Sequence, residues 1–435
     1  MLYRRRPWQE ELAIIDKVMK SVSDITEPEE MVDAYWNGIS ELVPADDYVA
    51  LSRRGVEPPE YIITRASRFT EHLNPWEYRE KLPRLSGGIL GEVAYADQPI
   101  FIEDLPSRLM RDDPGHFYLE GYQSLFAFPQ YEGGKGINVG VSFFPPGVEI
   151  DRSFIPVLHW QASLFGRGTQ SLVLRKQLTK ALRDLDREIA VVGEIQRSLL
   201  PAKPPAIPGF EIATSYATSA QAGGDYYDFF PIAAGDDGHE GWGLFIADVS
   251  GHGTPAAVLM AITHAIAHTR PGTPMPAGSL LSYVNEHLAR SYATNGTFVT
   301  AFYATLDPVA RHLTFAVAGH NPPYVVRGGR LIALDGDASF PLGLSPDEEY
   351  REATFQLERG DVLVLYTDGI TEAMSPPNAS GHRELFGDER LGLALLAGPL
   401  DDAEACVRRV EEAVRAFTRG GAATDDRTLV IVRCV

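Results

Sequence analysis

Four short acidic motifs punctuate the second half of the chain, and each lies beside an apolar run. They are Gly223-Gly-Asp-Tyr-Tyr-Asp228, Ala247-Asp-Val-Ser-Gly-His-Gly253, Asp361-Val-Leu-Val-Leu-Tyr-Thr-Asp-Gly369 and Thr424-Asp-Asp-Arg-Thr-Leu-Val-Ile-Val432. A carboxylate beside a buried strand costs free energy unless a cation or hydrogen bonds compensate its charge. Converging carboxylates also repel each other, and hard divalent cations relieve that repulsion. The pattern therefore favours a β-rich fold in which several strand ends meet at a metal site.

The residue types in these motifs indicate which metal would bind. Carboxylate oxygens favour Mg²⁺ or Mn²⁺, and the motifs contain no cluster of cysteine and histidine that argues for zinc. Two such ions about 3.5–4 Å apart can activate a water molecule and place it in line with a phosphate group. They also neutralise the charge that develops on the phosphoryl oxygens, so that no serine or cysteine nucleophile is required.

Each motif has a simpler explanation when it is taken alone. Asp368-Gly369 is compatible with a hairpin turn, and Asp425-Asp426 with a solvated turn. Gly251-His252-Gly253 is compatible with a tight entry into a helix whose start is marked by Thr254 as N-cap and Pro255. The order and the context of all four motifs together favour the metal site.

In that order the motifs resemble those of the metal-dependent PPM protein phosphatases, in their SpoIIE-type bacterial branch. The resemblance covers about residues 190–435. Further matching segments are Ile195-Gln196, Leu199-Leu-Pro201, Phe298-Val-Thr-Ala-Phe302, Ala318-Gly-His-Asn-Pro-Pro323 and Pro341-Leu-Gly-Leu344. The resemblance implies an α/β/β/α sandwich of two antiparallel sheets, with two Mn²⁺ or Mg²⁺ ions at one edge.

The same resemblance implies which residues hold the metal ions and carry catalysis. The side-chain ligands would be Asp225, Asp248, Asp368 and Asp425, and the backbone carbonyl of Val249 would be a further ligand. Asp426 is the less expected member of its pair, because the first acid of that motif is the ligand in the family. Two other residues, Asp228 and Thr367, would either support the ligands or have a structural role.

The chain departs from eukaryotic relatives at two functional positions. Those relatives have a histidine, proposed as a general acid, where this chain has Ser250, and His252 is the nearby alternative. Their phosphate-binding arginine has no clear counterpart here, and Arg197 is a speculative candidate. We expect His320 to fix a loop by hydrogen bonding rather than to contact the substrate.

Residues 10–168 show a different pattern of apolar and polar residues. Helical periodicity over residues 10–43 gives way to short β-rich runs that continue to Phe144. Gly87-Gly-Ile-Leu-Gly-Glu-Val-Ala94, Gln98-Pro-Ile-Phe-Ile-Glu-Asp-Leu105 and Ser124-Leu-Phe-Ala-Phe-Pro129 resemble a GAF domain, which implies a sheet with flanking helices. GAF domains bind small molecules or act as dimerisation and signal-coupling modules, and the alternative is a domain that binds nothing. The region contains no cysteine, which excludes a thioether-linked bilin.

Residues 169–200 predict a helical linker between residues 10–168 and a phosphatase domain at residues 201–435. Apolar residues follow the alternating spacing of four and three that is typical of a coiled coil. They are Leu178, Leu182, Leu185, Ile189 and Val192. The pattern predicts a parallel homodimer, and the alternative is a single amphipathic helix packed on its own domain. Pro201 and the prolines that follow it end the helix.

The composition limits which partners and which cellular compartment we expect for this protein. The net charge of −20 and the lack of a long basic run argue against a nucleic-acid partner. No run of about 18 apolar residues predicts a membrane span, and no signal peptide is visible. Two cysteines without a spacing motif suggest a reducing compartment, so we expect a cytoplasmic protein.

Taken together, these patterns predict a metal-dependent protein serine/threonine phosphatase with a GAF sensor and a helical linker. In this branch the resemblance implies a small phosphorylated partner, such as an anti-sigma-factor antagonist, and a small-molecule or protein signal at the GAF domain. One alternative is a different metal-dependent phosphoesterase, which the agreement of all four motifs disfavours. The other is a catalytically inactive scaffold that responds to a ligand, and retention of the four acids counts against it.

Overall fold

The computed structural model describes residues 7–42, 47–70, 73–148, 152, 155–233, 240–269, 275–292, 296–337 and 339–435. The chain forms two compact units, Met1–Leu182 and Arg183–Val435. The boundary between them falls inside one long helix, Ile155–Leu199.

The first unit contains a six-stranded antiparallel sheet within the described residues, in the order β3-β2-β1-β6-β5-β4. The strands are β1 (Asp47–Ser52), β2 (Glu60–Ala66), β3 (Arg84–Ser86), β4 (Ile100–Ile102), β5 (Ser124–Glu132) and β6 (Lys135–Phe144). The helices are α1 (Trp8–Ser23), α2 (Pro28–Leu42), α3 (Gly88–Tyr95), α4 (Leu105–Arg108), α5 (His116–Leu119) and the start of α6 (Ile155–Leu199), with a 3-10 turn at Arg79–Lys81.

Helices cover both faces of this sheet. Leu90 of α3 and Leu119 of α5 belong to one core cluster with Val49 and Val141 of the central strands. On the other face, α2 and α6 contribute Tyr35 and Ala162 to a smaller cluster with phenylalanines of β5 and β6. The predicted arrangement of a sheet with flanking helices is therefore present, while its assignment as a GAF domain stays a prediction.

The second unit contains two five-stranded antiparallel sheets among the described residues, in the orders β14-β11-β10-β9-β8 and β13-β12-β15-β16-β7. The strands are β7 (Phe210–Ala217), β8 (Tyr226–Ile232), β9 (Gly241–Val249), β10 (Val299–Asp307), β11 (His312–Ala318), β12 (Tyr324–Arg327), β13 (Arg330–Ala333), β14 (Ala353–Gln356), β15 (Val362–Tyr366) and β16 (Arg427–Cys434). The helices after α6 are α7 (Thr254–His268), α8 (Ala277–Ser291), α9 (Asp368–Thr371), α10 (Gly387–Leu396) and α11 (Ala403–Thr418). Gly253 is the N-cap of α7, so the sequence analysis was wrong by one residue when it placed the cap at Thr254.

Alternation along the central strands places these elements in four layers. In β9, Leu244 and Ile246 face the core between the two sheets, whereas Phe245 and Ala247 face the cluster formed with α7 and α8. Strands β15 and β16 alternate in the same way between the inter-sheet core and a cluster with α10 and α11. Successive side chains of a strand point to opposite faces, so strands buried on both sides read as continuous apolar runs. The second unit is thus an α/β/β/α sandwich of antiparallel sheets.

Helix α6 is continuous over Ile155–Leu199. Gly168, where the sequence analysis placed the end of the first domain, lies inside it, and so does Gly166. A Cβ atom at Gly166 would be 2.7 Å from the side-chain carbonyl carbon of Gln130, so the glycine allows the helix to approach the sheet instead of ending it. Farther along, the leucines of the heptad pattern lie at the surface, and Leu178, Leu182 and Leu185 are 61%, 53% and 51% exposed.

These exposed leucines lead to a prediction about oligomeric state. We expect the full chain to sediment at about twice its 47.8 kDa mass, because pairing the heptad positions of α6 would bury their apolar surface. Replacing Leu185 and Ile189 by Asp should yield monomers. Replacing Lys180 and Arg187 by Asp, on the opposite side of the heptad, should leave the dimer intact. A leucine–isoleucine variant that still sediments as a dimer would contradict the prediction.

Candidate metal centre

The four predicted metal-binding aspartates lie at strand ends of both sheets. Asp225 directly precedes β8 and Asp248 is the penultimate residue of β9, its neighbour in the first sheet. Asp368 follows β15 closely and Asp425 lies two residues before β16, and these two strands are neighbours in the second sheet. Antiparallel neighbours bring the end of one strand beside the start of the next. Each sheet therefore contributes one adjacent pair of carboxylates.

Asp225 is the most deeply buried of the four, with 1% of its surface exposed. Its Oδ2 atom accepts hydrogen bonds from the hydroxyls of Thr367, at 2.7 Å, and Thr428, at 2.6 Å. Both threonines belong to the second sheet's side of the site, so they join this carboxylate to the opposite layer. Burial raises the pKa of Asp225, and the two hydroxyls oppose that rise by stabilising the charged form.

Burial and neighbouring carboxylates raise the pKa of three of the four aspartates. Burial raises the pKa of Asp248, and the charges of Asp225, Asp368 and Asp425 raise it further. Burial, Glu372 and Asp425 raise the pKa of Asp368 to about 6. Such a set is unfavourable as bare anions and is favourable around hard cations, which oxygen ligands bind well. The donor set therefore fits the Mn²⁺ or Mg²⁺ ions expected from the sequence.

A glycine pair allows the backbone to approach this group closely. A Cβ atom at Gly224 would lie 2.9 Å from the carbonyl oxygen of Val249, the predicted backbone ligand. A Cβ atom at Gly223 would lie 2.4 Å from Oδ2 of Asp426. Real Cβ atoms essentially never approach so closely, so the loop before Asp225 requires both glycines.

The carboxylate of Asp426 is engaged in hydrogen bonds within the protein. Its two oxygens accept hydrogen bonds from the backbone N–H groups of Ser219 and Gly224, at 2.7 and 2.6 Å, and one of them also accepts the Ser219 hydroxyl at 3.1 Å. These contacts hold the loop that leads to Asp225. The structure thus gives Asp426 a role in positioning that loop, in keeping with its lower expectation as a ligand.

Gln196, near the end of α6, fixes the same loop from another side. Its side-chain oxygen accepts the N–H of Gly223 at 2.9 Å, and its side-chain nitrogen donates to the Gly223 carbonyl at 2.7 Å and to the Tyr216 hydroxyl at 2.9 Å. The side chain is 2% exposed. The sequence analysis noted Ile195-Gln196 only as a matching segment and did not identify Gln196 as the contacting residue, because nothing local shows which turn a helical glutamine will reach.

The other residues singled out from the sequence have varied surroundings. Ser250 accepts a hydrogen bond from the backbone N–H of Phe298 at 2.9 Å, whereas His252 and Arg197 are exposed. His320 is buried, hydrogen-bonds the Thr300 hydroxyl through Nδ1 at 2.9 Å, and has a pKa that burial lowers to about 4. Its ring is therefore neutral near pH 7. The partners of Asp228 are on β8 and α7 rather than among the four aspartates.

Comparisons with known proteins find similarity in the second unit of the chain. Residues 238–435 match the family model described as Stage II sporulation protein E (SpoIIE). The SiaA-PP2C domain of Pseudomonas aeruginosa superposes with a TM-score of 0.50 at 21% identity, covering 58% of this chain and 98% of that domain. Because the identity is low, this likeness establishes the fold alone: the second unit has the PP2C fold.

Curated relatives share the same part of the chain. The phosphoserine phosphatase RsbU of Bacillus subtilis (strain 168) is 30% identical over 191 residues, which are 44% of this chain and 55% of the relative. The phosphoserine phosphatase RsbP of the same organism is 24% identical over 189 residues, 43% of this chain and 45% of the relative. The chain thus spans about half the length of these relatives. In the part of the chain that the structure describes, no helix combines the length and apolarity needed to cross a bilayer.

The raised carboxylate pKa values lead to a prediction about the metal-free protein. A folded state that raises the pKa of an aspartate binds more protons than the unfolded state, so stability falls as pH rises. For Asp368 the window lies between its ordinary pKa of 3.8 and about 6. With a chelator present, we expect the melting temperature to fall as pH increases through this window.

Asp248→Asn should raise the melting temperature of the chelated protein near pH 7, because it removes a buried carboxyl group that the folded state must either keep protonated or hold as a charge beside other carboxylates. Asp347→Asn, at an exposed position, is the matched control and should change little. Differential scanning calorimetry measures the melting temperatures of the unsubstituted protein and of the two variants. An Asp248 variant that melts at or below the unsubstituted protein would refute the mutual repulsion.

Proposed function

We propose that this chain is a metal-dependent protein serine/threonine phosphatase. The observation that carries the proposal is the meeting of four strand-end aspartates from two sheets in a unit with the PP2C fold, and burial together with neighbouring carboxylates raises the pKa of Asp225, Asp248 and Asp368. The relatives named phosphoserine phosphatases support the same activity. We assign the metal-ligand role to Asp225, Asp248, Asp368, Asp425 and the carbonyl of Val249.

The mechanism follows from how the chain holds these groups. When bound, two Mn²⁺ or Mg²⁺ ions supply an activated water and neutralise charge on the phosphoryl oxygens. Thr367 and Thr428 fix Asp225 in place by donating to it, and these hydrogen bonds favour its charged form. Ser250 is turned toward the backbone of Phe298, in keeping with attack by water instead of a protein nucleophile.

A cavity beside Asp425 provides a place for the phosphoprotein. Its volume is about 460 Å³, and its lining includes Gly369, Asp425 and two cationic residues, Arg383 and Arg427. Guanidinium groups pair well with phosphate and carboxylate groups. We therefore assign this cavity to the segment of the partner protein that surrounds the phosphorylated residue, and we expect a small partner such as an anti-sigma-factor antagonist.

We further propose that the first unit regulates the phosphatase through α6 in a homodimer, with a ligand or partner signal at a GAF domain. The contact that supports this idea is Gln196, which lies on α6 and holds both backbone groups of Gly223, two residues before Asp225. A change in α6 that moved Gln196 would release the turn that positions the first ligand. The opposing hypothesis, a catalytically inactive scaffold, predicts no turnover of a phosphate ester with Mn²⁺.

Substitution of two aspartates tests the activity. We expect Asp248→Ala and Asp368→Ala each to lower turnover of p-nitrophenyl phosphate and of a phosphoserine protein by orders of magnitude, because each removes a metal-ligand contact. Asp347→Ala, at an exposed position, should keep normal turnover. Steady-state rates at saturating Mn²⁺ decide the matter, and near-normal rates in both ligand variants would rule out the assignment.

Substitution of Gln196 tests the regulatory contact. Gln196→Ala should raise the Mn²⁺ concentration needed for half-maximal activity, because the loop that presents Asp225 loses both hydrogen bonds to Gly223. Glu194→Ala, an exposed position on the same helix, should match the unsubstituted protein. Titrating Mn²⁺ separates a loss of metal affinity from a general loss of turnover. If the Gln196 variant showed an unchanged Mn²⁺ dependence, α6 would not control the metal site through this contact.

A further inference from the structure

Three side chains with metal-binding chemistry meet beside the candidate centre without belonging to it. Asp228 lies on β8, and His264 and His268 lie on α7. Among the described residues they form a group in which one ligand atom from each side chain lies within 4.8 Å of the others. The proposed phosphatase mechanism uses none of the three.

The backbone explains why these side chains converge. His264 and His268 are four residues apart on a helix, so their rings lie on one face of α7. Asp228 Oδ2 is 2.7 Å from Nε2 of His268 and 3.6 Å from Nδ1 of His264. Ligand atoms around a tetrahedral zinc ion with bonds of about 2.0–2.1 Å are roughly 3.3 Å apart. The observed separations bracket that value, so a small adjustment would admit the ion.

Surrounding groups hold these ligands in place. The backbone N–H of Phe229 donates to Oδ1 of Asp228 at 2.7 Å, and the Tyr226 hydroxyl donates to Oδ2 at 2.7 Å. Burial raises the pKa of Asp228, but hydrogen bonds from His264, Tyr226, His268 and Phe229 bring it below its usual value. The carboxylate is thus ionised and oriented, as outer partners commonly arrange for metal ligands.

The cluster also has an access route from solvent. The side chain of Asp228 is 9% exposed and that of His264 is 19% exposed, whereas that of His268 is 43% exposed. An ion can therefore enter on the His268 side while its other ligands are largely shielded. A water molecule from solvent on that side would supply the fourth ligand, the usual arrangement where three protein ligands hold zinc.

We propose that Asp228 Oδ2, His264 Nδ1 and His268 Nε2 form a zinc site that is separate from the carboxylate centre. Imidazole nitrogens favour zinc over Mg²⁺ and Mn²⁺, which prefer oxygen-only ligands. Bound zinc ties β8 to α7. Strand β8 begins directly after Asp225, and α7 begins a few residues after Asp248, so the ion fixes two elements that flank the phosphatase centre.

Zinc uptake by the full chain in excess Mg²⁺ tests the proposal, since Mg²⁺ occupies the carboxylate centre but competes poorly for nitrogen ligands. After chelation and dialysis, equilibrium dialysis with metal analysis should show one zinc per chain. Asp248→Asn should retain it, because that change affects only the carboxylate centre. His264→Gln with His268→Gln should lose it. His287→Gln, an exposed histidine on α8, is the matched control and should retain it.

Two further measurements keep the test decisive. Co²⁺ in place of zinc should give the visible absorption of a four-coordinate ion in the unsubstituted chain, and this absorption should vanish in the double-histidine variant. Should that variant fail to fold by circular dichroism, His268→Gln alone, at the more exposed position, should weaken zinc affinity at least tenfold. Either no Mg²⁺-resistant zinc uptake by the unsubstituted chain, or equal uptake by the folded histidine variants, would overturn the site.

Discussion

Two threonine hydroxyls that donate to one buried carboxylate are the interaction on which the candidate metal centre depends. Asp225 is almost completely removed from solvent, and an unpaired buried charge would be costly. Thr367 and Thr428 supply the compensating hydrogen bonds from the opposite sheet. Because these bonds cross between the layers, they fix where the edge of the first sheet lies relative to the edge of the second. The positions of the other three aspartates follow from that alignment.

Without metal ions, the same centre destabilises the fold that holds it. Burial and neighbouring carboxylates raise the pKa of three of its aspartates, so the metal-free protein holds repelling or protonated groups at the meeting point of its two sheets. A natural protein keeps such a cluster only where function outweighs the loss in stability. The apolar layers on either side of the central strands provide the compensating stability, and they leave the strand ends to carry the charged groups.

The sequence predicted the elements of this site better than the contacts among them. Acids beside apolar runs singled out the four motifs, because a charge next to a buried strand is locally anomalous, and the family resemblance then selected Asp225, Asp248, Asp368 and Asp425 within them. Their convergence followed from the family resemblance, and the layered fold agrees with it. Contacts that depend on distant pairing were missed. Gln196 reaches Gly223 across 27 residues, and Asp228 meets His268 across 40. The sequence shows that His264 and His268 are four residues apart, but it does not show that strand β8 with Asp228 faces them.

The closeness of Gly223 and Gly224 to their neighbours affects how variants of this protein should be interpreted. Neither residue carries a functional group, yet a side chain at either position would collide with the carbonyl of Val249 or the carboxylate of Asp426. In a library of random variants, both glycines will behave as if they were chemically essential. Their intolerance would reflect lost space rather than lost chemistry. Naturally occurring alleles at these positions would therefore abolish function without replacing any of the proposed ligand residues.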